Sequence, residues 1–285
     1  MNTSNPRHKY EYAVNPDTAA AKVIRLVGPD RRVLELGSGP GSITRHLKDN
    51  GCHVTALELD GDAIAIVGEF CERVIPCDLN DAGWPNLLCN TGQFAAIVAG
   101  DVLEHLYDPW ATLKKMKPLL AEDGYVVVSL PHIAHSAVVA CLLNEDFEYQ
   151  PWGLLDKTHI RFWGLKNIQK LFDEAGFKII EVDFVIRSPE QTEFASRWRK
   201  LPEKVRQALA WNRFGNVYQV VVKAVPETAT GKGLRLEDQA APAPKATSYS
   251  AGAHGSRVLG YFISFLSLDT RARISRLLHR LGIRL

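Results

Sequence analysis

Three glycines at alternate positions, Gly37, Gly39 and Gly41, follow the apolar run Val33-Leu-Glu-Leu. Glycines so placed let a backbone turn sharply out of a strand and approach a ligand closely. Glu58 closes the next apolar run, about 20 residues further on, where a carboxylate can accept both hydroxyls of a ribose. The spacing is G-x-G-x-G, and Ser42 stands where a dinucleotide fingerprint would carry its third glycine. Glu35 lies two residues before the first glycine. A carboxylate there repels a pyrophosphate and suits a cationic ligand, such as an amino group or a sulfonium. The plain alternative is a strand–turn–helix corner with no ligand.

Four histidines, His105, His132, His135 and His159, fall in segments expected at the carboxyl ends of strands, where open α/β sheets bind ligands. Imidazole suits the work of a general base. Each has a plainer reading. His105, beside Glu104, can cap or pack a helix start, and His132 and His135 can be solvated loop residues. Asp156, His159 and Arg161 form either a salt-bridged loop or a binding cluster for a polar acceptor, with Arg161 as an anion fork. They interrupt an aromatic stretch (Phe147, Tyr149, Trp152, Phe162, Trp163) that serves as a lid or as packing under a loop. His132-x-x-His135 lacks a third ligand at a recognised spacing, so no required metal is expected.

Seven β-rich runs must position these residues. They begin at Arg32, His53, Arg73, Phe94, Gly124, Phe177 and Asn216. Helical patterns separate them, which predicts a mostly parallel sheet covered on both faces. Residues 1–30 read as a polar start and a helix, with Ala20, Val23, Ile24 and Val27 on one side. Residues 31–225 read as the α/β domain. Residues 226–256 are rich in Pro, Ala, Gly and Ser and read as a flexible linker. In residues 257–285, Ile274, Leu277, Leu278 and Leu281 share one helical face, with Arg273, Arg276 and Arg280 on the other side. That amphipathic helix suits an anionic membrane surface, a partner chain or its own domain.

The motifs resemble those of class I S-adenosylmethionine-dependent methyltransferases, in order, over about residues 15–225. Val33-Leu-Glu-Leu-Gly-Ser-Gly-Pro-Gly is similar to their first motif. Gly100-Asp-Val-Leu-Glu-His-Leu-Tyr-Asp-Pro resembles a segment of ubiquinone-type and cell-surface-polysaccharide methyltransferases. Tyr149-Gln-Pro-Trp-Gly-Leu-Leu-Asp-Lys-Thr-His-Ile-Arg-Phe-Trp resembles a block of the polysaccharide-cluster subgroup, although His132 replaces that subgroup's asparagine. The resemblance implies a Rossmann-like seven-stranded fold with S-adenosylmethionine as cofactor. It implies a donor site made of Glu35, Gly37, Ser38, Gly39, Gly41, Glu58, Asp78, Leu79 and Asp101. Glu35 and the glycine loop would hold the methionine end, Glu58 the ribose and Asp78 the adenine amine, with Asp101 near the acceptor. The reaction implied is O-methylation of a sugar or other small-molecule hydroxyl. A nucleoside-binding partner subunit and a nicotinamide-dependent oxidoreductase are the rival readings.

Composition narrows the field. The 285 residues carry 34 Lys+Arg against 32 Asp+Glu, a net charge of +2, which disfavours a nucleic-acid partner. Five cysteines with no C-x-x-C pair argue against a disulfide framework or a structural zinc site. With no apolar leader at the start, a cytoplasmic protein is expected.

Overall fold

The computed structural model describes residues 15–244. The helix expected over 257–285, residues 245–256 of the expected linker and residues 1–14 of the expected polar start lie outside the described residues. Helix α1 (Ala19–Val27) precedes β1 (Arg32–Leu36), followed by α2 (Thr44–Asp49), β2 (His53–Glu58), α3 (Gly61–Val67), β3 (Arg73–Pro76) and β4 (Phe94–Gly100). Next come α4 (Pro109–Met116), β5 (Leu120–Pro131), α5 (Ser136–Leu143), α6 (Leu165–Ala175) and β6 (Phe177–Ile186). Helices α7 (Ala195–Lys200) and α8 (Glu203–Leu209) are inserted before β7 (Val217–Pro226).

Local chemistry sets the boundaries. Thr18 caps α1 by accepting the Ala21 N–H at 3.2 Å, and Gly28 at φ 77° ends it. Asp60 and Asp108 cap α3 and α4 in the same way through Ala63 and Ala111. These side chains satisfy amides that the first helical turn leaves unpaired. β1, β2 and β4 are buried almost throughout, as parallel strands covered on both faces must be.

The sheet order is β3-β2-β1-β4-β5-β7-β6, parallel except for β7, which runs antiparallel to both neighbours. The order reverses between β1 and β4. Their carboxyl ends therefore diverge into helices on opposite faces and leave a crevice, the usual ligand position in such sheets. One apolar layer, built around Leu34, Ile97, Val126 and Phe172, covers one face. A second, built around Val23, Val33, Val98 and Val127, covers the other. Among the described residues, no helix is long and apolar enough to cross a membrane.

The linker expected from residue 226 onward is corrected over its described part. Leu236 is fully buried in the first apolar layer, with Leu234 and Ala241 packed against it. The Leu234 N–H donates to Ile179 O at 2.8 Å and the Leu236 N–H to Gln169 Oε1 at 3.1 Å. Arg235 pairs with Asp173 at 2.9 Å. A Pro- and Gly-rich composition hides three apolar residues at the spacing of a strap, and the groove beside α6 holds them.

Candidate active site

The half expected to hold the donor is built by the turns after β1, β2 and β3. Gly37, Gly39 and Gly41 adopt φ values of 60°, 53° and 87°, all in the left-handed region that penalises a side chain. A Cβ on Gly37 would lie 2.9 Å from a Val102 methyl, whereas one on Gly39 would meet nothing within 4 Å. The loop is thus packed behind and open in front. The Gly39 N–H donates to Glu58 Oε2 at 2.6 Å, and the Leu59 and Asp60 N–H groups donate to Oε1 at 2.8 and 2.9 Å. Three amides fix the carboxylate at the end of β2. Ser38 is buried in the same turn.

Glu35 sits behind the loop. It is buried, and the Thr44 hydroxyl donates to its Oε2 at 2.7 Å. Burial pushes its pKa up to about 7; the Thr44 hydrogen bond opposes this and the Glu58 charge adds to it. Its observed bond braces β1 against α2, which makes it a support for the glycine loop.

A pocket of about 300 Å³ opens after β3, lined by Pro76, Cys77, Asp78, Asp81, Trp84 and Leu87. Apolar walls with carboxylates at the rim fit a purine ring and its exocyclic amine. Trp84, in this wall, buries an Nε1–H that has no partner among the described residues. Asp78 Oδ1 accepts the Asn80 N–H at 2.8 Å, which holds the turn. Leu79 points its side chain into the apolar layer and does not line this pocket.

The half expected to hold the acceptor gathers the ends of β4, β5 and β7. Asp101 is held in the left-handed region at φ 55°. Its amide lies 3.0 Å from Ser129 Oγ, whose hydroxyl donates back to Asp101 Oδ1 at 2.7 Å. Gln219 Nε2 donates to both Asp101 oxygens at 2.8 and 2.9 Å. Strained backbone of this kind persists where the surroundings over-determine it, and it clusters at functional sites.

The four histidines divide. His135 corrects the expectation of a base. Its Nδ1 accepts the Ala137 N–H at 3.1 Å, and its Nε2–H donates to Arg187 O at 2.9 Å. Both ring nitrogens are engaged, the residue caps α5, and burial pushes its pKa down to about 4. His132 is 2% exposed, and its Nδ1–H donates to Val217 O at 3.1 Å. That leaves Nε2 with the lone pair, and burial holds the ring below the ordinary histidine pKa. The His105 Nδ1–H donates to Thr158 O at 3.2 Å, and its ring stands edge-on to His159 with centroids 4.8 Å apart. His159 is buried, and desolvation together with His105 lowers its pKa.

The 150–163 segment is stapled rather than loose. Ile160 and Arg161 donate their N–H groups to Glu104 O at 2.9 and 3.1 Å, and Ile133 donates to Trp163 O at 2.9 Å. Glu193 accepts the Leu154 N–H at 2.9 Å and the Tyr218 hydroxyl at 3.0 Å. Of Asp156, His159 and Arg161, the first two stay together, the His159 N–H donating to Asp156 O at 3.0 Å, while Arg161 turns elsewhere. Arg161 donates to Tyr107 O at 2.6 Å and lies over Trp110, and Asp156 holds Thr158. The aromatic stretch is split as well. Trp163 joins the core, while Tyr149 and Phe162 remain exposed. Sequence reading missed Thr44, Glu104, Ser129, Glu193 and Gln219. Glu104 had a visible signal, its place in the Glu104-His105 pair, and Thr44 lies only nine residues from Glu35; Ser129, Glu193 and Gln219 had none, because their partners lie 25 or more residues away.

A family profile described as a methyltransferase domain matches residues 8–182. The chain belongs to this methyltransferase family. A ubiquinone biosynthesis O-methyltransferase of Glaesserella parasuis is 24% identical over 123 residues, covering 41% of this chain and 52% of that protein. One of Xanthomonas campestris is 24% identical over 138 residues, covering 48% of this chain and 58% of that protein. The chain thus spans little more than half the length of these relatives. A crystal structure of a putative methyltransferase from Bacillus halodurans superposes with a TM-score of 0.50 at 17% identity. It covers 74% of this chain and 99% of that one, and it shares the fold.

Proposed function

We propose that this chain transfers a methyl group from S-adenosylmethionine to a hydroxyl oxygen of a small acceptor, with His132 as the general base. One observation carries the reading: the Val217 carbonyl fixes the proton on His132 Nδ1, which leaves Nε2 with the lone pair that a neutral base would offer to an acceptor. A hydroxyl is a poor nucleophile until its proton is taken, and a placed base supplies ~10²–10⁴-fold. The donor, when bound, supplies an electrophilic methyl on a positively charged sulfur. Around it, Glu58 would receive the ribose hydroxyls and the Cys77–Trp84 pocket the adenine. Gly39, with open space before its Cα, would let the methionine end approach the backbone. Asp101, clamped by Ser129 and Gln219, would form the wall between donor and acceptor.

Two acceptor classes fit an O-methyltransferase here. The curated relatives are named for ubiquinone biosynthesis, which supports a phenolic hydroxyl. The resemblance of residues 149–163 to the polysaccharide-cluster subgroup supports a sugar hydroxyl of a glycan precursor. The test is labelled-methyl transfer from S-adenosylmethionine to a panel of phenols, catechols and nucleotide sugars, preceded by calorimetric titration with S-adenosylhomocysteine. Donor binding with a base-stable methyl ether as product is the expected result, and the panel member that is methylated decides between the two classes. Donor binding without transfer to any hydroxyl overturns the acceptor reading and favours a non-catalytic partner subunit; absence of donor binding overturns both.

A further inference from the structure

We propose that Glu104, His105 and His159 form a binding site for one divalent transition-metal ion. One ligand atom from each lies within 4.8 Å of the others. Two imidazoles and a carboxylate suit Zn²⁺, Mn²⁺, Fe²⁺ or Co²⁺ better than Mg²⁺ or Ca²⁺, which prefer oxygen throughout.

Three further observations support the site. The first is an orphaned acid. Glu104 is 0% exposed, and neither carboxylate oxygen has a hydrogen-bond partner in the described structure. Burying an ionised carboxylate without partners is costly; desolvation and the nearby Asp101 push the Glu104 pKa well above the usual carboxylate range, and a bound cation is the alternative to a proton for compensating the charge. Its nearest basic group, His159 Nε2, stands 4.0 Å from Oε1, too far for a hydrogen bond.

The second is orientation. The His105 Nδ1–H is held by the Thr158 carbonyl at 3.2 Å. A metal-binding histidine characteristically donates its other ring N–H to a carbonyl or carboxylate, which fixes the tautomer and directs the free lone pair. In His159 it is Nε2 that approaches Glu104, with the Leu154 backbone beside the ring.

The third is rigidity of the frame. Glu104 and His105 follow β4, and His159 comes from the 150–163 segment. Two backbone hydrogen bonds, from Ile160 and Arg161 to Glu104 O, hold the two pieces together. Ligands ~2.1 Å from a tetrahedral ion stand roughly 3.4 Å apart, so loading draws the cluster inward by about 1 Å. With three protein ligands, at least one coordination position is left for an oxygen atom, as in catalytic rather than structural sites. His105 is the least buried of the three and marks the side from which that oxygen enters. The proposed hydroxyl acceptor supplies such an atom, and only this role rests on the methyl-transfer reading.

The test uses full-length protein stripped with a chelator and titrated with Co²⁺, with Zn²⁺ as competitor. One equivalent should bind with visible d–d absorption, and Zn²⁺ should displace it. Glu104→Gln and His159→Ala should each weaken binding by roughly tenfold or more, about 1.4 kcal/mol. His53→Gln, which removes the exposed His53–Glu72 pair, should leave it unchanged. S-adenosylhomocysteine titration of every variant reports folding and the donor site separately. Should the variants fail to fold, imidazole NMR of the wild type decides. Stoichiometric shifts of His105 and His159 on adding Zn²⁺ support the site, and unmoved resonances overturn it. Protein that binds S-adenosylhomocysteine but no Co²⁺, or Co²⁺ binding undiminished in both variants, also overturns it. Failed donor binding with intact Co²⁺ binding would instead overturn the methyl-transfer reading alone.

Discussion

The two halves of the site are held together by different means. In the donor half, each key polar contact closes within 20 residues of chain: Glu35 with Thr44, Glu58 with Gly39, Asp78 with Asn80. In the acceptor half they span the sequence: Asp101 with Gln219, His132 with Val217, His135 with Arg187, Glu193 with Tyr218. The first arrangement is made by turns, the second by the sheet order, which places β7 beside β5. Turns can be built from nearby residues alone. The acceptor half exists only when the whole sheet does, so its chemistry and its stability are coupled to distant packing.

Substitutions can test this contrast. The largest effect is expected at His132. His132→Gln should lower kcat ~10²–10⁴-fold while the affinity for S-adenosylhomocysteine stays within about twofold. Comparable losses of both would merge the two halves into one unit. In the wild type, kcat should rise with pH through a pKa below the ordinary histidine value.

Acid and alkali should loosen opposite halves. His135 has a folded pKa of about 4 against about 6.5 unfolded. The unfolded chain binds the proton that the fold excludes, so this contribution is complete above pH 6.5. It is lost as pH falls, up to about 3 kcal/mol near pH 4. Glu35 has the reverse sign. Its folded pKa of about 7 lies above the unfolded value, so stability declines as pH rises from 4.5 through 7, by a similar magnitude. Hydrogen exchange at pH 5 and pH 8 should show α5 opening more readily in acid and α2 more readily in base. The same helix opening first at both values would remove the distinction.

A smaller effect is expected at Glu58. Glu58→Gln should weaken S-adenosylhomocysteine binding ~10–100-fold, the worth of charge-assisted hydrogen bonds. Unchanged affinity would remove Glu58 from the donor site. Least of all, Tyr218→Phe removes one hydrogen bond to Glu193 and should cost about 1 kcal/mol in urea unfolding. Its signature is a raised KM for the acceptor with the donor unaffected, because the 150–163 segment loses one of its staples.

The same division governs what is legible in the sequence. All seven strand runs, the α1 face and the glycine loop with Glu58 are local patterns, and the structure shows each of them as an element. His135 defeats such reading because a histidine after a strand looks alike whether it faces solvent or caps a helix; Arg187 O, 52 residues away, decides it. Arg161 has the look of an anion fork, yet its guanidinium is taken by Tyr107 O, 54 residues distant. Glu104 and His159 are 55 positions apart, a spacing no metal motif encodes, so an expectation of no metal follows directly from sequence reading. Composition misleads at Leu236, where a few apolar side chains outweigh the surrounding Pro and Gly.

The strap around Leu236 also fixes the edge of the sheet at which the described residues end. β7 delivers the chain to the amino edge of the parallel strands, and the strap carries it back. Arg213, which precedes β7 at the carboxyl edge, donates to Glu237 O at 2.8 Å and Gln239 O at 2.5 Å. A chain cut at residue 225 would therefore leave an apolar slot beside α6. A fluorophore or domain fused after residue 244 would be tethered on the rim that carries the acceptor residues, at high effective concentration there. For this fold, the choice of fusion terminus is a choice about access to the site.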